Sequence, residues 1–159
     1  MALASELQTR SAIVTAIKAA IPADAKVYPR IRRPQKGRLD DFKRLYVDNV
    51  ERVHLWMVRR AQRTPEVDAF NRLQRVVVTY QMLGYFSLVD NDTDALSSEA
   101  IFQLEIETVA AGLEVDNVFG LPGVTHRGLQ LPVDFEDVFF GDVLCHEAKC
   151  RLVVDVEDC

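Results

Sequence analysis

The sequence predicts an α+β fold, with an antiparallel or mixed sheet of about four to six strands and two helices packed on one face. Two stretches carry apolar residues at helical spacing, and several others alternate apolar with polar residues as strands do. The helical and strand-like stretches follow each other in the order helix, strands, helix, strands. A length of 159 residues with 48% hydrophobic residues suits a single domain with a substantial core.

Two segments predict helices, over residues 5–20 and 97–113. Ser5 and Gln8 have the spacing of a capping box at the start of the first helix. Acidic residues precede the second helix, which suits the positive end of a helix dipole. The apolar residues at helical spacing are Ile13 and Ile17 in the first helix and Phe102, Ile106, Val109 and Leu113 in the second.

Five segments predict strands. In the second, Leu55 and Met57 alternate with His54, Trp56 and Val58, so we expect both faces to be at least partly covered. The second and third pair as an antiparallel hairpin across a polar link, and the last has the cleanest period of two. The predicted strands cover residues 27–31, 45–60, 73–83, 129–133 and 148–156.

Charge is unevenly distributed along the chain. Residues 26–75 contain 14 Lys and Arg against 6 Asp and Glu, a net charge of +8, whereas residues 76–159 contain 3 against 16, a net charge of −13. Because the first 25 residues are neutral, the whole chain carries −5. This asymmetry predicts a partner surface of opposite sign.

The basic residues concentrate at a predicted exposed loop over residues 32–44, where Pro34 and Gly37 oppose regular structure. Three interpretations stay open: an acidic protein partner, which we favour, direct contact with DNA, or a solvated loop. The acidic half of an identical subunit is one such partner, and a head-to-tail contact of this kind closes into a ring when the rotation permits. The candidate interface residues are Arg30, Arg32, Arg33, Lys36, Arg38, Lys43 and Arg44.

A second candidate surface is acidic and alternates with Val and Phe in VDFEDVFFGD. A carboxylate cluster for magnesium or acid–base chemistry is one interpretation, and a solvated or docking face is the favoured one. Its residues are Asp134, Glu136, Asp137 and Asp142.

Catalytic and cofactor motifs are missing from the sequence. It has no G-x-S-x-G elbow and no glycine-rich phosphate loop, so we predict no catalytic residue and no cofactor. Among the three histidines, His54 is predicted to be structural and His126 exposed in a glycine-rich loop. His146 lies between two cysteines in the sequence and is a candidate metal ligand together with them.

Cys145, His146 and Cys150, with Cys159 nearby, are residue types that zinc favours. On one strand, however, Cys145 and Cys150 would face opposite sides, so we predict no metal site. Three cysteines confined to one end predict no disulfide framework and a reducing compartment. We also expect no membrane span, because charges interrupt every apolar run. We expect no secretory signal, because MALASELQTR lacks a basic region followed by an apolar one.

The layout resembles the tail-terminator, or minor tail completion, proteins of long-tailed bacteriophages. The matching features are the first helix, Val27-Tyr28-x-Arg30, the strand around residues 54–60, the helix over 97–113, and Phe140-Gly141-x-x-Leu144-Cys145-His146 before a hydrophobic strand. The resemblance implies a virion protein, assembled in the host cytoplasm, that forms a hexameric ring on the tail tube. Such a ring stops tube polymerisation and presents a surface to head-completion and neck proteins.

By the same resemblance, the genome passes through the ring's bore without sequence-specific binding, and acidic residues line that bore. The basic loop would contact neighbouring rings. Two alternatives to the tail terminator are another neck or head–tail connector subunit, and a DNA-binding accessory protein that uses the basic loop.

Overall fold

A computed structural model describes residues 6–35, 37–88, 97–130 and 134–157. Within these ranges the chain forms three helices and a six-stranded mixed sheet, which confirms the α+β class. None of these helices is long and apolar enough to cross a lipid bilayer. In chain order the elements are α1 Glu6–Ala20, β1 Lys26–Tyr28, α2 Leu39–Tyr46, β2 His54–Val67, β3 Leu73–Ser87, α3 Ser98–Val115, β4 Val124–Leu129, β5 Asp134–Phe140 and β6 Val143–Glu157.

The sheet is built around two long central strands, β3 and β6. Its order is β1-β2-β3-β6-β4, and β5 pairs with the same edge of β6 as β4 does. The β3–β6 register is antiparallel and unbroken from Arg75 opposite Glu157 to Ser87 opposite Cys145. β1 is the one described strand that runs parallel to its neighbour, β2. All the other pairs of neighbouring strands in the described sheet are antiparallel.

α1 and α3 pack on one face of the sheet, as predicted. Ile13 and Ile17 of α1 and Phe102 and Leu113 of α3 bury their side chains against the even-numbered residues of β6 and against Trp56. Burying each of these large side chains contributes about 1.5–3 kcal/mol. The two helices thus owe their positions to the apolar faces that the sequence pattern identified.

The opposite face is covered by α2, which the sequence analysis missed. The prediction of an exposed loop over residues 32–44 is wrong from Leu39 onwards. Phe42 and Tyr46 are four residues apart, so they share one side of a helix and pack with Phe140 at ring-centroid distances of 6.2 and 5.0 Å. A helix of 8 residues is unstable alone, so this tertiary packing decides its formation.

The β2–β3 hairpin is longer than predicted. β2 begins at His54 and not at residue 45, and it continues through the polar residues 62–66 that were predicted to form a link. β1 pairs only with Leu55–Met57 of β2, which leaves the edge of β2 beyond Met57 without a described neighbour. Pro65 is compatible with such an edge because its missing N–H interrupts no ladder.

His126 was predicted to be exposed and is in fact buried in β4. The Gly128 N–H donates to its Nδ1 at 3.0 Å, so its Nε2 carries the proton and donates to the Asp116 carbonyl oxygen at 2.7 Å. Its ring stacks on Phe119. In the predicted strand over residues 129–133, Leu129 is the last residue of β4, Gln130 follows it outside the strand, and residues 131–133 lie outside the described residues.

The indole of Trp56 lies directly on Gly84, and this contact yields a stability prediction. A Cβ at Gly84 would approach three indole atoms within 2.8–2.9 Å, so Gly84→Ala should lower the free energy of unfolding by about 1–3 kcal/mol. Urea unfolding followed by fluorescence of Trp56, the single tryptophan, measures this change.

The matched control is Gly112→Ala in α3, where the added Cβ would meet the Ala20 Cβ at an ordinary 3.6 Å. Alanine suits a helix interior better than glycine, so this variant should gain about 0.5–1 kcal/mol. Equal stabilities of the two variants would contradict the packing of Trp56 on Gly84.

Candidate functional site

Five arginines predicted to form an interface converge on one cleft between β1 and α2. The cleft has a volume of about 380 Å³. Its arginines are Arg30, Arg32, Arg33, Arg38 and Arg44. Lys43 is exposed on α2 but does not line the cleft, and Lys36 lies outside the described residues. The segment before α2 and the helix itself thus present their guanidinium groups to a shared space.

The arginine cleft has a strong excess of positive charge. Asp41 is the one carboxylate among its described lining residues, and it lies 3.1 Å from Arg44 and 3.6 Å from Arg38. Burial raises the pKa of Tyr28 and of Tyr46, more than the nearby arginines lower it, so both phenols stay neutral at pH 7. An anion is the natural ligand of such a cleft.

Arg32 contributes a donor that lacks an acceptor. Its guanidinium lies 4.4 Å from the ring centre of Tyr28, and its buried Nε has no hydrogen-bond partner among the described residues. A buried donor left without an acceptor costs about 1–3 kcal/mol.

A second cleft, of about 470 Å³, continues from the first and is mainly apolar. The two share Gln35, Arg38 and Phe42. Gly141 lies close to Phe42 in the second cleft, because a Cβ there would be 3.1 Å from the Phe42 ring. The other lining residues of the apolar cleft are Pro34, Gly37, Leu39, Asp142 and Val143. We call the two clefts together the bipartite groove.

The predicted acidic residues do not form one face. Alternation along β5 places Asp134 and Glu136 on one side of the sheet and Asp137 on the other. Each has a basic or histidine neighbour: Glu136 lies 3.5 Å from Lys149, and Asp137 lies 2.6 Å from His146. Asp134 lines a small cleft with Lys149 and Arg151, and Asp142 lines the groove beside Arg38. Their geometry therefore does not support a continuous acidic face.

His54 belongs to a buried ionic cluster, which agrees with its predicted structural role. Its Nε2 lies 2.7 Å from the Glu105 carboxylate and its Nδ1 3.5 Å from Asp48. The Trp56 indole N–H donates to the same Glu105 carboxylate at 2.7 Å. The sequence analysis missed Glu105, although its position three residues after Phe102 places it towards the buried side of α3.

Ser98, His146 and Asp137 have the connectivity of a nucleophile, a base and an orienting acid. His146 Nε2 lies 2.8 Å from Ser98 Oγ, and its Nδ1 lies 2.6 Å from Asp137 Oδ1. Ser98 is only 2% exposed, however, and the His146 ring lies against Phe102 and Phe135. A nucleophile must reach its substrate, so we interpret these bonds as the tie that holds the start of α3 to β5 and β6.

Cys145 and Cys150 face opposite sides of β6, as predicted. Cys150 packs with α1 and α3, and Cys145 packs with α2. Burial raises the pKa of each thiol to about 12, so both stay protonated at neutral pH and lack the reactivity of a thiolate. No three His, Cys, Asp or Glu side chains converge as metal ligands in the described part of the chain, and Cys159 lies outside it.

Comparison of the chain with protein-family models and with curated proteins gives no match.

The His54 cluster yields a pH prediction. Burial lowers the pKa of His54, but the hydrogen bond and charge of Glu105, together with Asp48, outweigh it and raise the pKa above 6.5. Because the folded protein holds this proton more tightly, the stabilisation is fully present below pH 6.5 and is lost as pH rises through the raised pKa. The free energy of unfolding should therefore fall between pH 6 and pH 9 by more in the wild type than in His54→Gln.

Glu105→Gln should destabilise the protein by about 1–3 kcal/mol and reduce the same pH dependence, because His54 loses its nearest carboxylate. Glu51→Gln, at an exposed position outside the cluster, is the control and should change neither quantity. An unaltered pH profile in both Glu105→Gln and His54→Gln would show that the cluster does not bind a proton on folding.

Proposed function

We propose that this chain is an assembly subunit that binds other protein subunits through the bipartite groove, and that it caps a bacteriophage tail tube as a ring. In this role it ends tube polymerisation and forms the surface for head attachment. The observation that supports the proposal is the combination in one groove of five arginines with an apolar wall.

The composition of the groove favours a protein ligand over nucleic acid. A duplex offers regularly spaced phosphates to arginine but no apolar surface along its backbone, so the wall of Leu39, Phe42 and Val143 would gain nothing from it. A peptide segment with both acidic and apolar side chains satisfies the two halves together. Its carboxylates would bind guanidinium groups bidentately, and its apolar side chains would cover the wall.

Two features support a ring: the resemblance of the sequence to tail-terminator proteins, and the uneven distribution of charge along the chain. We propose a hexamer whose bipartite groove takes an acidic segment of a subunit in a neighbouring ring, either tail-tube protein or head-completion and neck proteins. The genome passes through the bore without sequence-specific binding, and the protein is located in the virion. A neck or head–tail connector subunit would use the same groove for a different neighbour.

The first test of this function is assembly. The protein alone, or mixed with tail tubes made from the tube protein of the same phage, should give ring-sized particles by mass photometry and negative-stain imaging. Tube length distributions should shorten when the protein is present during polymerisation. Monomers alone under both conditions, with tubes of unchanged length, would contradict the proposal.

The second test is the groove. Arg33→Glu places a negative charge among the arginines and should weaken tube or neck binding at least tenfold, or about 1.4 kcal/mol. Lys43→Glu makes the same change on the same segment outside the groove and should leave affinity unchanged. Binding measured by co-sedimentation distinguishes the two variants.

A 30-base-pair duplex at low salt serves as the competing ligand in the same series. We expect no binding that depends on Arg33. Salt-sensitive duplex binding that Arg33→Glu abolishes would support the DNA-binding alternative instead.

A further inference from the structure

The exposed outer face of α3 carries an apolar stripe. Leu104 is 64% exposed and Val115 is 87% exposed. A helix on the surface of a monomer usually presents polar residues to solvent, and a contiguous exposed apolar stripe marks an interface. The stripe has the alternating three- and four-residue spacing of a helix-packing seam. Its residues are Ile101, Leu104, Thr108, Ala111 and Val115.

Two details of this stripe indicate the chemistry of its partner. The Thr108 hydroxyl donates to the Leu104 carbonyl oxygen at 2.8 Å, so the threonine can turn its methyl group outward without losing a hydrogen bond. Glu107 and Glu114 lie seven residues, or about 10 Å, apart along one flank of the stripe. Neither forms an ion pair within the described residues, and α3 contains no Lys or Arg. The face therefore requires an apolar partner with basic residues beside it.

The hairpin formed by β2 and β3 presents such a surface in residues 59–75, which we call the arm. Its end exposes Val67, Phe70 and Leu73, of which Phe70 is 78% exposed. Arg72 lies 5.3 Å from the Phe70 ring centre, so it extends the apolar end with a cation that is paired with Asp68. The arm therefore carries an exposed apolar end.

The arm also carries unpaired arginines. Arg60 and Arg63 stand opposite Tyr80 and Val78 in the register, so an irregularity between Arg60 and Gln62 puts both on one side of the arm. They are exposed and form no ion pair in the part of the chain that the structure describes. Tyr80 and Val78 are two strand positions, or about 7 Å, apart. Arginine side chains are long enough to span the difference between this spacing and that of Glu107 and Glu114.

We propose that the arm of one copy docks on the outer face of α3 of the next copy and forms the lateral contact of the ring. Phe70 and its apolar neighbours cover the stripe, and Arg60 and Arg63 pair with Glu107 and Glu114. Both surfaces are exposed in the same chain, so neither covers the other. Two different complementary patches give a head-to-tail contact, which closes into a ring when the rotation permits.

This inference rests on the ring of the proposed function and assigns its two directions of contact. The arm and α3 join copies within a ring. The bipartite groove, which includes no residue of the arm or of α3, stays free for the neighbouring ring. Lateral and axial contacts can therefore be broken separately.

The test is a charge swap measured by mass photometry and sedimentation velocity, with and without tail tubes. Arg60→Glu with Arg63→Glu should weaken self-association at least tenfold, and so should Glu107→Arg with Glu114→Arg. All four changes in one chain should restore assembly, because the pairs are then exchanged. An equimolar mixture of the two double variants should also assemble, because alternating copies satisfy every contact.

Controls separate docking from folding. Each variant should keep the wild-type circular dichroism spectrum, since the altered residues are exposed. Lys43→Glu with Asp40→Arg changes two exposed charges on α2 and should leave self-association unchanged. Phe70→Ser and Leu104→Ser should each weaken it, which tests the apolar part of the contact.

Rings that persist in both double variants, or a loss that neither the fourfold variant nor the mixture restores, would overturn this contact alone. If the wild type forms no ring with or without tubes, the proposed function and this contact fail together. Arg33→Glu should keep the ring and lose the tube, which distinguishes failure of the groove from failure of the arm.

Discussion

The rotation of α3 on the sheet depends on one buried carboxylate. Glu105 accepts a hydrogen bond from Trp56 on β2 and lies 2.7 Å from His54 on the same strand. Such a group is costly to bury unless its partners surround it, so α3 is held in the one rotation and height that keep these bonds. The same rotation determines which residues of α3 point outward. The exposed apolar stripe with its acidic flank is thus a consequence of how Glu105 is satisfied inside.

The sheet is covered differently at its two ends, and this difference separates the two candidate binding surfaces. Near Leu55, Met57 and Cys145 both faces are buried, one by α1 and α3 and the other by α2. Placing α2 there creates the bipartite groove. Towards the arm, β2 leaves the core, loses its neighbour β1 and becomes exposed. The β2–β3 hairpin is therefore buried at one end and carries an exposed, arginine-rich surface at the other.

Several groups that could suggest chemistry serve structure instead. The Ser98–His146–Asp137 chain joins three elements and its serine and histidine are buried, and the two described cysteines are divided between opposite cores. The exposed features differ from these buried groups. They are guanidinium groups that outnumber the carboxylates near them, and apolar side chains at helical spacing. A molecule with its polar chemistry inside and its unsatisfied charge and apolar area outside is suited to association with other proteins.

The sequence by itself determined the elements whose pattern is long and regular: α1, α3, β6 and the two covered faces of β2 around Trp56. It also located the basic segment, because charge is a property of composition. Only the tertiary structure decided that α2 forms, that His126 is buried, that β2 extends to Val67, and that the four acidic residues near β5 do not share a face. The physical reason is the range of the interactions. Periodicity reports which face of a segment is apolar, whereas α2 depends on Phe140, and His54 on Glu105, at sequence separations that no local pattern records.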